Sequence, residues 1–297
     1  MRYQRTIKKD IYISGIGLHC GQLSTLVLKP APEDTGVVFY RKDKNVYLQA
    51  HVGQVLDTTF ATTIGNERAK VRTVEHLLAS LYALGIDNVY IEVDGPEIPI
   101  LDGSAIEFAT HIITVGIKKQ KEKMPFIKIT KPVTLNDGDK GNVSIYPYEG
   151  LRITFRMLFE NHFLGEQVLT VDLNEEVFVT DIAPARTFGF LKDIQYFRKM
   201  GLAKGGSLEN AVVFSESAVL NESGLRFTDE CVRHKILDSI GDFSLIGFPI
   251  QGHIIANKSG HTMNVGFLKR LLMCSECWEV VTEREFMKMP VLSYSYV

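Results

Sequence analysis

The chain has only four cysteines in 297 residues, Cys20, Cys231, Cys274 and Cys277, too few and too unevenly spaced to form a disulfide framework in a protein of this size. Reduced thiols are expected. Cys274 and Cys277, in CSEC, have zinc-knuckle spacing, but no second Cys or His pair lies near them in sequence, so the pair reads as structural or incidental. Charge of one sign is also missing. The 33 Lys and Arg against 35 Asp and Glu leave a formal charge of −2, which excludes a broad nucleic-acid surface and leaves only local basic pockets. No apolar run approaches the ~20 residues needed to cross a bilayer. The basic N-terminus MRYQRTIKKDIYISGIGLH continues into a short alternating stretch, not into an apolar segment with a cleavage site. A cytoplasmic protein with no transmembrane segment is expected, and peripheral membrane contact stays open. Neither Gly-x-Gly-x-x-Gly nor Gly-Lys-Ser/Thr occurs, which removes support for a dehydrogenase or nucleotide hydrolase. No Gly-x-Ser-x-Gly elbow is present to carry a serine nucleophile.

What is present describes a folded protein, 45% hydrophobic and 23% charged. At 297 residues the chain is long for one core, so two domains of about 150 residues are expected. The charge run IKKQKEKMP (117–125) separates two halves that each open with strand-like alternation, and places a linker there. In the first half STLVLKPA, TGVVFY and NVYLQAHV read as strands, VRTVEHLLASLYALGI as a helix and NVYIEVDG as a strand after it. In the second, PFIKITKPVTL, NVSIYPYE and LRITFRMLF read as strands, and DECVRHKILDSIGDFSLIG as a helix before the strand IQGHIIANKSG. VEHLLASLYALG can be set over VRHKILDSIGDF with His76 above His234, a faint internal repeat that hints at duplicated α+β domains. A pseudo-twofold arrangement would bring both histidine-bearing helices to one cleft.

The second of these helices carries an unusual face. At about 100° per residue, His234, Asp238 and Asp242 fall within roughly 80° of one another, while Ile236, Leu237, Ile240 and Phe243 gather opposite. His and Asp at i and i+4 make either an ordinary helix-surface pair or two ligands of one cation. In the second reading a histidine from elsewhere completes a three-ligand site with a fourth position left for water, the mark of catalytic zinc. His76 is the best third ligand, because Glu75 beside it supplies a carboxylate able to take a proton from that water. Cys231, three residues before His234, is an alternative ligand that favours a closed sulfur site.

Other stretches are weaker by themselves. NKSGHTMN (257–264) reads as a loop presenting Lys258 and His261 around a glycine, either a tight turn or a ligand contact. Asp242 could charge and orient His261, making it an acid for a leaving group. The glycines in GLAKGGSLENAVV (201–213) are a possible phosphate cradle without a supporting motif. LKDIQYFRKMGLA spaces Leu191, Ile194, Tyr196, Phe197 and Leu202 helically, which more often means core packing than an apolar ligand groove.

Together SGIGLHCG (14–21), TVEHLLASL (73–81), EIPILDGSA (97–105), ARTFGF (185–190), GLAKGGS, GLRFTDECVRHKILDSIGD (224–242) and KSGHTMN resemble the UDP-3-O-acyl-N-acetylglucosamine deacetylases. These are the zinc amidases that commit Gram-negative bacteria to lipid A synthesis. The motifs follow the family's order from near residue 11 to about residue 270. The resemblance implies an α+β fold of two similar two-layer α/β sandwich domains, packed face to face with the active site between them. With the charge run as linker at 118–125, domain I covers 1–122 and domain II 126–297, and the resemblance implies an acyl-chain insert near 190–213. It implies one zinc ion per chain on His76, His234 and Asp238, with ferrous iron as the other candidate.

Glu75 is then the general base and His261 the general acid, partnered by Asp242. Thr187 helps to hold the oxyanion, and Lys235 contacts substrate. Phe188 and Asp193 match positions at the glucosamine, and Lys258 and Phe159 positions near the diphosphate and uracil. Ile194, Arg198, Leu202, Leu208 and Val213 match the acyl passage. The implied substrate is a UDP-linked acylated amino sugar, handled by a monomer. A zinc amidase for another acylated sugar nucleotide and a non-catalytic sugar-nucleotide or acyl-chain binder are the competing readings. The looser C-terminal tail, from about residue 271, is the natural place for turnover control.

Overall fold

A computed structural model describes residues 2–159 and 164–282; the end of the tail singled out above, residues 283–297, lies outside the described residues. Two α+β units pack face to face. The first sheet comprises Ile11–Ile16 (β1), Leu23–Pro30 (β2), Val37–Arg41 (β3), Val46–Gln49 (β4) and Val89–Asp94 (β5). Their order is β1-β2-β5-β3-β4, antiparallel except for the central β5–β3 pair. Alternation drives these strands: Ile11 and Ile13 are buried while Tyr12 and Ser14 face out, and Leu26 and Leu28 are buried within β2.

The second sheet comprises Phe126–Ile129 (β6), Val133–Asn136 (β7), Asn142–Tyr146 (β8), Leu151–Leu158 (β9), Glu166–Asp172 (β10), Ile250–Asn257 (β11) and Trp278–Val281 (β12). Within it the order β7-β8-β11-β9-β10 repeats the first sheet strand for strand, again with one parallel pair, β11–β9. PFIKITKPVTL, expected as one strand, is two. The chain turns at Thr130–Lys131, whose N–H groups both donate to the Cys277 carbonyl, and Pro132 has no N–H to extend a ladder.

Helices occupy equivalent places in the two units. Glu75–Ala83 (α1) precedes the central strand β5 and Ile106–Val115 (α2) follows it, while Glu230–Ser244 (α4) precedes β11 and His261–Met273 (α5) follows it. The faint His76-over-His234 repeat is therefore matched by topology. Between them Leu191–Lys199 (α3) belongs only to the second unit. Helix α1 packs directly on α4, α4 on β9 and β10, and α5 on β7 and β8. Buried residues from Ile7 to Val280 form one continuous core across both units. A small satellite of Val212, Phe214 and Cys231 sits beneath the 188–214 region.

Three further expectations change. The charged run expected as a linker contains a strand, Ile117–Lys123, paired antiparallel with Tyr3–Ile7; its lysines suit a solvent-facing edge. VRTVEHLLASLYALGI is helical only over Glu75–Ala83, because Thr73 takes φ +58 and Gly85 φ +64 at its two ends. NKSGHTMN is not a loop throughout: helix α5 begins at His261, with Gly260 as its cap. No helix among the described residues is long and apolar enough to cross a membrane.

Candidate active site

Helices α1 and α4 set the floor of the site. The His-Asp-Asp face of α4 does not meet solvent as a simple amphipathic helix would; it is buried against α1, and twelve of the helix's residues are buried. His76, near the start of α1, and His234 stand edge to face with ring centroids 5.0 Å apart. Asp238 Oδ1 lies 3.3 Å from His234 Nε2 and 3.6 Å from His76 Nε2. One ligand atom from each of these three side chains falls within 4.8 Å of the others. His234 Nδ1 is 3.1 Å from the Ala185 carbonyl, which fixes its proton there and leaves the Nε2 lone pair facing inward. Burial lowers the His234 pKa to about 4, so the ring is neutral at pH 7. Burial opposes the charge of Asp238, but His234 and Lys235 outweigh it and hold the carboxyl well below its usual range. Lys235 Nζ sits on Asp238 Oδ2 at 2.8 Å.

Two imidazoles and a carboxylate on one side of a cavity are a donor set for a divalent cation with an open position, and they fit zinc or ferrous iron. Among the described residues Cys231, Cys274 and Cys277 join no such group. All three are free thiols inside the fold, so the sulfur alternative for the site and the zinc-knuckle reading of CSEC both lose their basis.

Glu75, His261 and Asp242 complete the centre. Glu75 is 3% exposed, and burial raises its pKa. Its Oε1 lies 3.9 Å from His261 Nε2. Asp242 Oδ2 accepts from His261 Nδ1 at 2.9 Å and from Asn264 Nδ2 at 2.9 Å. An imidazolium at the first residue of a helix opposes the dipole, and burial also disfavours it. The Asp242 carboxylate overcomes both and raises His261 to about 9.

A cavity of about 1080 Å³ opens over these groups between the two units. One side is apolar, with Ile194, Phe197, Leu208 and Val213 on its wall. Thr187, Phe188, Arg198 and Lys235 line it as well. Helix α3 has no buried residue, so its apolar spacing reflects a groove wall and not core packing, which is the less favoured of the two sequence readings.

Four other residues expected at the substrate lie off this wall. Leu202 is 8% exposed and packed inside. Asp193 is half-buried in the first turn of α3. Phe159 packs edgewise on Phe188 and Phe190 at 5.9 and 6.1 Å. Lys258 is exposed, at φ +51, with its N–H on the Arg156 carbonyl at 2.8 Å.

The motif residues around the site serve as its frame. The Thr187 N–H donates to the Gly103 carbonyl at 2.7 Å, and the Thr187 carbonyl accepts from Val212 at 2.8 Å. Arg186, just before it, is bound to Glu230 through Nε–Oε1 at 2.8 Å and Nη2–Oε2 at 3.1 Å. Glu97 accepts from His19 and Cys20 N–H and from the Thr73 hydroxyl at 2.8 Å, which joins three of the sequence motifs at the entrance to α1. His19 also lines the cavity, and neither of its buried ring nitrogens has a hydrogen-bond partner among the described residues. His19 and Asn264 stand out in the sequence only as parts of motifs, SGIGLHCG and KSGHTMN; Thr62, which is bonded to the Glu75 and Asp242 carboxylates, carries no signal of its own.

A family model described as UDP-3-O-acyl N-acetylglycosamine deacetylase matches residues 4–273. Among curated proteins, the UDP-3-O-acyl-N-acetylglucosamine deacetylase of Thermodesulfovibrio yellowstonii is 51% identical over 96% of this chain and 97% of its own length. That of Syntrophotalea carbinolica is 47% identical over 96% and 93%, and that of Histophilus somni 46% over 97% and 95%.

Proposed function

This chain belongs to the family of UDP-3-O-acyl-N-acetylglucosamine deacetylases and removes the N-acetyl group from that sugar nucleotide in lipid A biosynthesis, and we propose that it does so with one zinc ion held by His76, His234 and Asp238. The reading is supported most by one observation: two imidazoles, two carboxylates and a charged histidine from both units converge beneath a single cavity that also has an apolar wall. Imidazole and carboxylate donors accept ferrous iron as well. The chemistry a divalent ion supplies when bound there is Lewis acidity, which pulls the pKa of a water from about 15.7 toward ~7.

Glu75 takes the proton from the attacking water. Its burial-raised pKa suits this task, since a base works best near the pH at which it operates. The Thr187 hydroxyl donates to the oxygen that gains charge as the amide carbonyl becomes tetrahedral, where a fixed donor acts most strongly. His261, cationic at neutral pH and held through Nδ1 by Asp242, gives its Nε2 proton to the departing amine. Acetate and the free glucosamine nitrogen result. Lys235, bound to Asp238, is also on the cavity wall and contacts the sugar in this reading. Phe188 and Asp193 belong to the glucosamine subsite, and Lys258 and Phe159 to the nucleotide end. Ile194, Arg198, Leu208 and Val213 border the acyl chain, with Leu202 packed behind them.

We also divide the chain as expected from its charge run, 1–122 and 126–297, because each part holds the same five-strand order. One chain supplies every group named here, which supports a monomer. The test is deacetylation of UDP-3-O-(hydroxyacyl)-N-acetylglucosamine by purified protein, with metal content measured on the same sample. Activity lost on chelation and restored by zinc is expected. Undiminished turnover in metal-free protein would overturn the metal assignment.

A further inference from the structure

Thr62 stands just before the short strand Thr63–Gly65 and is wholly buried. Three hydrogen bonds tie it to its surroundings. Its carbonyl accepts from the N–H of Val74, the cap of α1, at 3.3 Å. Its own N–H donates to Glu75 Oε2 at 3.0 Å. Its hydroxyl crosses to the other unit and donates to Asp242 Oδ1 at 2.6 Å. One residue of the first unit thus touches both the carboxylate beside the water site and the carboxylate that holds His261.

We infer that Thr62 is a positioning residue that fixes His261 against Glu75, acting through Asp242; the inference rests on the acid and base roles proposed above. The division of lone pairs is the reason. On Glu75, Oε2 is taken by the Thr62 N–H, so Oε1 is the oxygen left toward His261 Nε2, 3.9 Å away. On Asp242, Oδ2 serves His261 and Asn264 while Oδ1 has the Thr62 hydroxyl. Asn264 alone does not set the carboxylate plane, because both of its neighbours on Oδ2 come from α5. Without the hydroxyl, Oδ1 becomes a buried acceptor with no donor among the described residues, a costly state that a rotation of the carboxylate relieves. His261 turns with it. The backbone N–H of Thr62 reaches Glu75 whatever the side chain is, so a hydroxyl-free variant separates the two contacts.

The experiment places Thr62→Val and Thr62→Ser in the wild-type and His261→Ala backgrounds, with kcat and KM measured on the metal-loaded enzyme and folding checked by circular dichroism. Thr62→Val is expected to lower kcat by about 10- to 100-fold, the scale of a small misplacement of a reacting group. KM should move less than about 3-fold, and Thr62→Ser should restore kcat to within about 3-fold. In His261→Ala the Thr62→Val change should cost less than about 3-fold, because the group it positions is gone. Full additivity of the two losses overturns the inference. Loss in His261→Ala with normal turnover in Thr62→Val overturns it alone; near-native turnover in His261→Ala overturns the acid assignment together with it. If Thr62→Val does not fold, Thr62→Ala in the same backgrounds completes the same cycle.

Discussion

A side chain on Gly241 would collide with the backbone of Glu75: a Cβ built there stands 2.1 Å from the Glu75 carbonyl oxygen. The two helices that carry the site meet at this point, and only hydrogen fits between them. Gly241→Ala should push the first turn of α1 away from α4, moving Glu75 and His76 together. A stability loss of about 1–3 kcal/mol is expected from overpacking, with a kcat loss of about 100-fold. Thermal melting and steady-state kinetics read both. A variant with a normal melt and normal kcat would show that the helices have slack here.

Glu75→Ala should leave the three proposed ligands in place, since His76, His234 and Asp238 form a donor group that does not include Glu75. Metal content measured by elemental analysis should stay near one equivalent while kcat drops by about 10²- to 10⁴-fold, the range for loss of a general base. Near-native kcat in metal-replete variant protein would refute the base assignment.

The Arg186–Glu230 pair gives stability a pH dependence. Burial alone would raise the Glu230 pKa, but Arg186 and the N–H donors of Arg186 and Arg226 hold it below the ordinary 4.5. A depressed carboxylate contributes stability that is complete above its unfolded pKa and is lost as pH falls through the folded one. Glu230→Gln should therefore melt well below wild type at pH 7, by about 3–5 kcal/mol for a broken buried pair. The gap should narrow below pH 4.5. Parallel melting curves from pH 7 to pH 3 would contradict this account.

Ile194 tests the apolar wall. Ile194→Trp fills the groove beside α3, where no residue is buried and the backbone need not move. KM for a long 3-O-acyl substrate should rise by about 10-fold, the equivalent of ~1.4 kcal/mol, with little change for a short-chain analogue. Equal effects on both would place the acyl chain elsewhere.

His76, His234 and Asp238 could be found from sequence because helical spacing is a local property and both histidines fall on equivalent helices. The five-strand order shared by the two units leaves no such mark, since strand order is set by long-range pairing that no window of sequence records. His261 was found as a residue but placed in a loop: Gly260 reads as a turn, and only tertiary contact with Asp242 shows why a cation can start that helix. Thr62 and Gly241 were invisible for a different reason. Each works by proximity to a residue far away in the chain, Thr62 to Asp242 and Gly241 to Glu75, and a lone Thr or Gly has no pattern.

Because His76 comes from one unit and His234 with Asp238 from the other, an ion held by all three is also a clasp. Its binding energy is shared between coordination and the mating of the two halves, so occupancy and interface strength are thermodynamically linked. Anything that loosens the contact of α1 with α4 would weaken the grip on such an ion, and stripping it would remove one tie between halves that their shared core still joins.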